Sequence, residues 1–497
     1  MFPCGINRRR RPTRSEKMKK KIIGMLMAWC MLFAAGCGSA SSGSGESSGG
    51  SAGGQDKTLN PEDYVSAEKF ITIADVPPHP VNELDDYVNL GFSGYILTED
   101  HVKFTENGQL TSGYKAALES LKNRGLDVYI RNQYNDPDYF VNSDTSPRTQ
   151  FNAGGTTEPY VIPERNITTE FKDYPQVKGF YISDEPDYNK LSRYGKILDW
   201  YNTYYSDTYF HMNLLPSYAN QQNFAGNGYS GYVKKFVSEI AEKVNGKKSI
   251  CLDNYPFSLS QPGAVRSSYL SDILLIANTT KAYNDGVSKE NEAYMGICIQ
   301  TFKSSTLADI TSPAQVSFQL LTGMAVGSKI YEYFLYGSGM GMYGIMTNGE
   351  KRIYDYVKAA NDKYLGFDKV LNSFNWQGLT TISAENASDS ENAETFEAIS
   401  DITLQNTGAL SLEKSSSRLD MIVGAFRRGE TDGYLAVNYS YPGAGKTNTA
   451  KLHFENCSTA LVYTGTENGM RVESVKLIEG TLRLNLAAGE GAFIIPA

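Results

Sequence analysis

The chain has 497 residues, with 47 Lys and Arg against 55 Asp and Glu, a formal net charge of −8, and 41% hydrophobic and 12% aromatic side chains. That is too long for one small domain and apolar enough to bury a large core, so a disordered tail is excluded. The acidic balance argues against a nucleic-acid partner and against electrostatic docking on anionic lipid.

The first stretch is a targeting segment. "MKKKIIGMLMAWCMLFAAGC" from Met18 has a basic start, an apolar run of about 14 residues and small residues before a cysteine, the pattern of an export signal. The run is short for a membrane span, which needs about 20 apolar residues. Ala34-Ala35-Gly36-Cys37 resembles a bacterial lipobox, which implies that Cys37 becomes the lipidated first residue of the mature chain. Met18 is the better initiator, because the signal begins just before its positive cluster. Removing residues 1–36 takes away nine basic side chains and one acidic one, so the mature balance is 38 against 54, or −16. Contact with the membrane is expected through this lipid anchor only. Residues 38–58 form a Gly/Ser tether with a mean reach of ~25 Å. Three further cysteines, Cys251, Cys298 and Cys457, are too few and too scattered for a disulfide framework and read as buried free thiols.

From Phe70 onward, apolar runs alternate with amphipathic segments. In order they are "FITIADVPP", "GFSGYILTED", "LDVYIRNQYN", "VKGFYISDEP", "YFHMNLLPS", "SICLDNYPF", "AYMGICIQTF" and "SKIYEYFLYG". Helical patterns lie between them, among them "SGYKAALESLKNRG", "NKLSRYGKILDWYNTYY", "YVKKFVSEIAEKVNG" and "SPAQVSFQLLTGMAVG". Eight such units predict an α/β fold, a (β/α)8 barrel over residues 59–371. An open doubly wound sheet is disfavoured by the lack of GxGxxG after the first strand. The polar, Gly/Pro-punctuated stretch from Asp136 to Thr169 is expected to cover the barrel mouth as a lid or subsite wall. Past residue 372 the pattern changes to short strands with turn residues between them, which predicts a C-terminal all-β sandwich over 372–497.

Working residues of such barrels sit at the carboxyl ends of the strands. Those ends carry Asp75; Glu99, Asp100 and His101; Arg131 and Asn132; Asp184 and Glu185; His211 and Asn213; Asp253 and Tyr255; Gln300; Glu332 and Tyr333. One polar strand end is unremarkable, but eight converging on one rim suggest a site. Its sharpest pair is Glu185 with Asp253, because glycosidic cleavage needs one carboxylic acid to protonate the leaving oxygen and one carboxylate to attack or to activate water. Asp184 would then raise the pKa of Glu185 or orient a sugar hydroxyl. Neighbouring strand residues face opposite ways, so both acids reach the mouth only if the chain turns there, and Pro186 favours such a turn. The spacing of the two carboxyls would set the outcome, about 5 Å for retention and roughly 6.5–9.5 Å for inversion. Asp75, Glu99, Arg131, Asn132, Asp184, Asn213, Tyr255, Gln300 and Tyr333 are the expected substrate-binding set.

The segments "FKDYPQVKGFYISDEP", "MNLLPSYA", "YSGYVKKFV", "LDNYPF" and "GSKIYEYFLYG" resemble bacterial glycoside-hydrolase-like lipoproteins with a barrel and a C-terminal β-domain. More distantly, the chain is similar to the β-galactosidase and cellulase superfamily, whose strand-four acid/base is a Glu in an Asn-Glu-Pro setting. The resemblance implies a carbohydrate substrate at the cell surface and an acid/base at Glu185, with Asp184 replacing the Asn. That superfamily takes its nucleophile from a Glu ending strand seven, where this chain has Gln300. The partner is therefore Asp253 or Glu332, or the barrel binds glycans without cleaving them. Hexosaminidases with an Asp-Glu pair on strand four need no protein nucleophile, but they wall the sugar with several Trp, and this barrel has only Trp200. A metal-dependent hydrolase using His79, His101 and His211 is a further option, although no HxH or HExxH is present, and no cofactor is called for.

Overall fold

The computed structural model describes residues 59–78, 84–98, 110–131, 149–151, 157–159, 170–339, 341–382, 410–412, 421–445 and 447–497. The eight predicted runs become parallel strands β1 (Ile71–Ala74), β2 (Gly94–Leu97), β3 (Asp127–Ile130), β4 (Val177–Ser183), β5 (Tyr209–Leu214), β6 (Lys248–Leu252), β7 (Ala293–Gln300) and β8 (Ile330–Phe334). From β2 to β8 each strand pairs with the next in sequence, and β8 pairs back onto β1. Closure is completed beside β2, where Ser93 N–H donates to Thr72 O at 3.0 Å. The chain thus forms a (β/α)8 barrel.

Alternation along each strand sorts the side chains. Ile73, Ile96, Tyr129, Tyr181, Tyr209, Tyr294 and Ile330 form an inner cluster. Their neighbours, such as Ala74, Leu97, Ile130 and Phe180, pack outward with the helices. Tyrosines fit the interior because glycines make room for them. A Cβ at Gly179 would lie 2.5 Å from Tyr209 O and 3.0 Å from the Tyr129 ring.

The helices used below follow the same logic. In α1 (Ser112–Asn123), Thr111 Oγ1 caps Tyr114 N–H, and Tyr114, Leu118 and Leu121 are buried at helical spacing. The helix expected over 189–205 is split. Asp187 caps a single turn, Tyr188–Leu191, that closes at Ser192, and α2 (Gly195–Tyr204) starts afresh. In α3 (Pro313–Ala325) every residue from Gln315 on is buried, because the helix is covered by β7 on one side and by the C-terminal strands on the other.

Those strands are β9 (Asn375–Ile382), β10 (Leu410–Leu412), β11 (Met421–Arg428), β12 (Thr431–Asn438), β13 (Thr447–Phe454), β14 (Thr459–Thr466), β15 (Gly469–Lys476), β16 (Thr481–Ala487) and β17 (Gly491–Pro496). They form a six-stranded sheet in the order β9-β11-β12-β17-β14-β15 and a three-stranded sheet β10-β13-β16, enclosing their own apolar core. The β-sandwich is seated on the barrel. Trp376 Nε1 donates to Ala325 O at 3.0 Å, Phe318 lies 4.8 Å from Tyr439, and Lys363 pairs with Glu490 at 2.5 Å.

Candidate active site

The carboxyl ends of β1, β3, β4 and β5 are joined by one polar network. Arg131, just past β3, reaches Asp75 Oδ1 at 3.0 Å and Asp184 Oδ2 at 3.2 Å. Its guanidinium lies 4.4 Å from the centre of the Tyr181 ring. Tyr181 OH donates to Asp184 Oδ1 at 3.0 Å, and Asn213 Nδ2 donates to Tyr181 OH at 2.7 Å. Burial pushes the Asp75 carboxyl up to about 6; Arg131 opposes the shift, while the Asp184 and Glu332 charges add to it. Asp75, Arg131, Asp184 and Asn213 are thereby brought together as expected. Both charged ends of Arg131 are occupied, so it fixes the two aspartates in place.

The turn anticipated after β4 is present. The β4–β5 register slips between Tyr181 and Ser183, the strand ends at Ser183, and Glu185 adopts φ +48°. That left-handed backbone is unfavourable for a non-glycine residue and clusters at functional sites. It is held by Glu185 N–H donating to Asn213 O at 3.1 Å. Leaving the strand frees both acids from its alternation, so Asp184 joins the Arg131 network while Glu185 turns to the neighbouring cleft.

That cleft, of about 910 Å³, opens over the ends of β5 to β8, and Glu185 and Asp253 both line it. Asp253 follows β6, where its N–H donates to Leu214 O at 3.0 Å. Asp253 is buried, and its Oδ1 has no hydrogen-bond partner among the described residues. Burial and then the Glu185 charge push the Asp253 carboxyl well above the carboxylate range. Glu185 is likewise raised, to about 8, by the protein packed around it and then by Asp184. Glu185 keeps an exposed face, so water screens its charge more than that of Asp253. Two such carboxyls titrate as a pair and hold on to protons where isolated acids have lost them.

The other expected residues divide. Tyr255 lines the cleft, edge-on to Phe302 at 5.0 Å. Glu332 points into the barrel, 1% exposed, with its Oε2 3.0 Å from His211 Nε2. Tyr333, its neighbour, points the other way, where its hydroxyl donates to Asn361 Oδ1 at 2.6 Å on the helix-facing side. Gln300 is fully buried. Its Oε1 accepts from Phe257 N–H at 3.1 Å, and its Nε2 donates to Phe257 O and Ala308 O at 3.3 and 2.8 Å. These bonds tie the loops after β6 and β7 together, a task that needs an amide, since a carboxylate has no donor. Neither Gln300 nor Tyr333 faces the cleft. Glu99, Asn132, Cys37, His79 and His101 lie outside the described residues, as does most of the 136–169 stretch, of which only the hairpin Thr149–Phe151 and Thr157–Pro159 is described.

Among the described residues, one set of atoms is close enough to share a metal. A ring nitrogen of His211, Cys251 Sγ and a Glu332 carboxylate oxygen lie within 4.8 Å of one another, and their types suit zinc. The cluster is wholly buried in the barrel, and His211 Nε2 is already engaged with Glu332.

The cleft walls that the sequence did not announce are Tyr218, Arg266, Phe302, Phe334 and Met342. All lie past or at the strand ends, where no period reports which way a side chain faces. The surplus of Tyr and Phe over Trp was the one available signal.

No protein-family profile matches the chain, and no curated protein does. Among solved structures it is similar to a family 39 glycoside hydrolase from the gut symbiont Bacteroides cellulosilyticus WH2, at 12% identity over 86% of this chain and 81% of that one, with a TM-score of 0.45. It is also similar to a 4-O-α-L-rhamnosyl-β-D-glucuronidase from Fusarium oxysporum 12S, at 12% identity over 87% and 96% of the two chains and a TM-score of 0.43. A family 44 xyloglucanase from Paenibacillus polymyxa gives 10% identity, 86% and 96% coverage and a TM-score of 0.42. The likeness to these glycoside hydrolases is one of fold.

Proposed function

We propose that the protein is a surface-anchored glycoside hydrolase that cleaves O-glycosidic bonds of an extracellular oligo- or polysaccharide. The observation that carries this reading is the meeting of Glu185 and Asp253, two carboxyls with raised proton affinity, in one aromatic-walled cleft. Glu185, at the open mouth, donates a proton to the leaving oxygen. Asp253, with an uncommitted Oδ1, serves the anomeric carbon as nucleophile or through water once it has given up its proton. Arg131 and Asp184, the partly exposed members of the neighbouring network, hold a sugar hydroxyl, with Asp75 and Asn213 buried behind them as supports.

The roles are separable. Glu185→Gln should lower turnover of natural glycans by about 10²–10⁴-fold while largely sparing aryl glycosides whose leaving group needs no proton. Asp253→Asn should fail on both, with azide restoring aryl glycoside turnover if Asp253 is the nucleophile. Wild-type hydrolysis that survives both changes would sink the assignment. Proton NMR of the first-formed anomer then gives retention or inversion.

The raised proton affinity of both cleft carboxyls favours a second reading, a glycan-binding barrel without turnover. Tight calorimetric binding of a glycan that wild-type protein leaves intact for days would select it.

The localisation is part of the same proposal. Cys37 would carry the lipid and residues 38–58 the tether. Labelled palmitate should enter the wild-type chain in the bacterial host and not Cys37→Ala, which should leave the membrane fraction. Equal labelling of the two would refute the anchor.

A further inference from the structure

Tyr218, in the loop after β5, is 40% exposed and lines the cleft that holds Glu185 and Asp253. Large aromatic rings that stay exposed usually do so singly and without support. This one is built in. The Arg266 guanidinium lies 3.8 Å from the ring centre and covers one face. Arg266 is itself fixed, its Nε donating to Tyr255 O at 3.1 Å and its N–H to Pro256 O at 2.8 Å. The Tyr218 hydroxyl accepts from Tyr255 N–H at 3.4 Å, which sets the tilt of the ring. Behind it, Asp272 Oδ2 accepts from Ser217 N–H at 3.1 Å and from Asn254 Nδ2 at 2.8 Å, locking the loops after β5 and β6 to each other. The uncovered face is therefore presented to the cleft without an ordering cost on binding.

A flat, rigid aromatic face suits the C–H face of a pyranose ring. Glu185 and Asp253 line the same cleft, so a ring seated on this face lies beside the two carboxyls.

We propose that Tyr218 is the platform on which the pyranose unit next to the scissile bond stacks. This rests on the glycan reading of the cleft. The test is an array of neutral and uronic oligosaccharides probed with the Glu185→Gln protein, with and without Tyr218→Ala and Tyr218→Phe, each first checked for an unchanged circular dichroism spectrum and unfolding midpoint. The glycans that bind should lose about tenfold in affinity with Tyr218→Ala and keep it with Tyr218→Phe. Binding that survives Tyr218→Ala overturns the platform and leaves the hydrolase reading standing. Binding to no glycan at all overturns both.

Discussion

Asp184→Asn is expected to move the alkaline limb of the pH–rate profile downward as well as to reduce the rate. In the wild type the Glu185 carboxyl is raised to about 8 by the protein packed around it and then by the Asp184 charge. A neutral amide at 184 removes that charge, so Glu185 should release its proton at lower pH, and residual activity on natural glycans should fade earlier as pH rises. The raised Glu185 and Asp253 carboxyls together predict the direction of stability. Between the ordinary carboxylate value and about 8, the folded chain keeps protons that the unfolded chain has given up, so stability falls as pH rises. The favourable contribution is complete below the ordinary value and is lost as pH passes the raised one. Asp253→Asn should flatten this slope and raise the unfolding midpoint near pH 8 by about 2 °C relative to wild type. Parallel midpoint-versus-pH curves for the two proteins would show that Asp253 has no raised proton affinity in the folded chain.

Much of this site was legible because strands announce themselves. All eight runs of β-branched and aromatic residues are barrel strands, and the strand period alone puts their final residues on one rim. Legibility failed where the period of two ends or was not applied. At Glu332 and Tyr333 alternation alone permits only one inward side chain, and the structure gives the interior to the glutamate. At Glu185 the chain leaves the strand into a left-handed turn, which Pro186 hints at but does not specify. Gln300 looked like a missing nucleophile, yet its three hydrogen bonds show a loop staple, information that resides in Phe257 and Ala308 rather than in its own neighbours. Tyr218 and Arg266, 48 residues apart, meet only because adjacent strands bring their loops together.

The choice between Asp253 and Glu332 as the second carboxylate is open to a comparison of two substitutions at 332. Glu332 and His211 are each 1% exposed, and His211 Nδ1 has no partner among the described residues. Glu332→Ala therefore leaves a buried imidazole with neither ring nitrogen bonded and an empty volume beside Cys251. The expected loss is about 3–5 kcal/mol of folding stability, visible as a lower denaturant midpoint. Glu332→Gln keeps an oxygen to accept from the ring and should cost only about 1 kcal/mol. If Glu332 only supports the barrel interior, Glu332→Gln should retain hydrolysis within a few fold. A carboxylate that attacks the sugar cannot be replaced by an amide, so a loss of about 10³-fold in kcat with folding intact would transfer the role from Asp253 to Glu332. The burial of Glu332 and its bond to His211 predict the first outcome, because a nucleophile must reach the anomeric carbon and Asp253, not Glu332, lines the cleft.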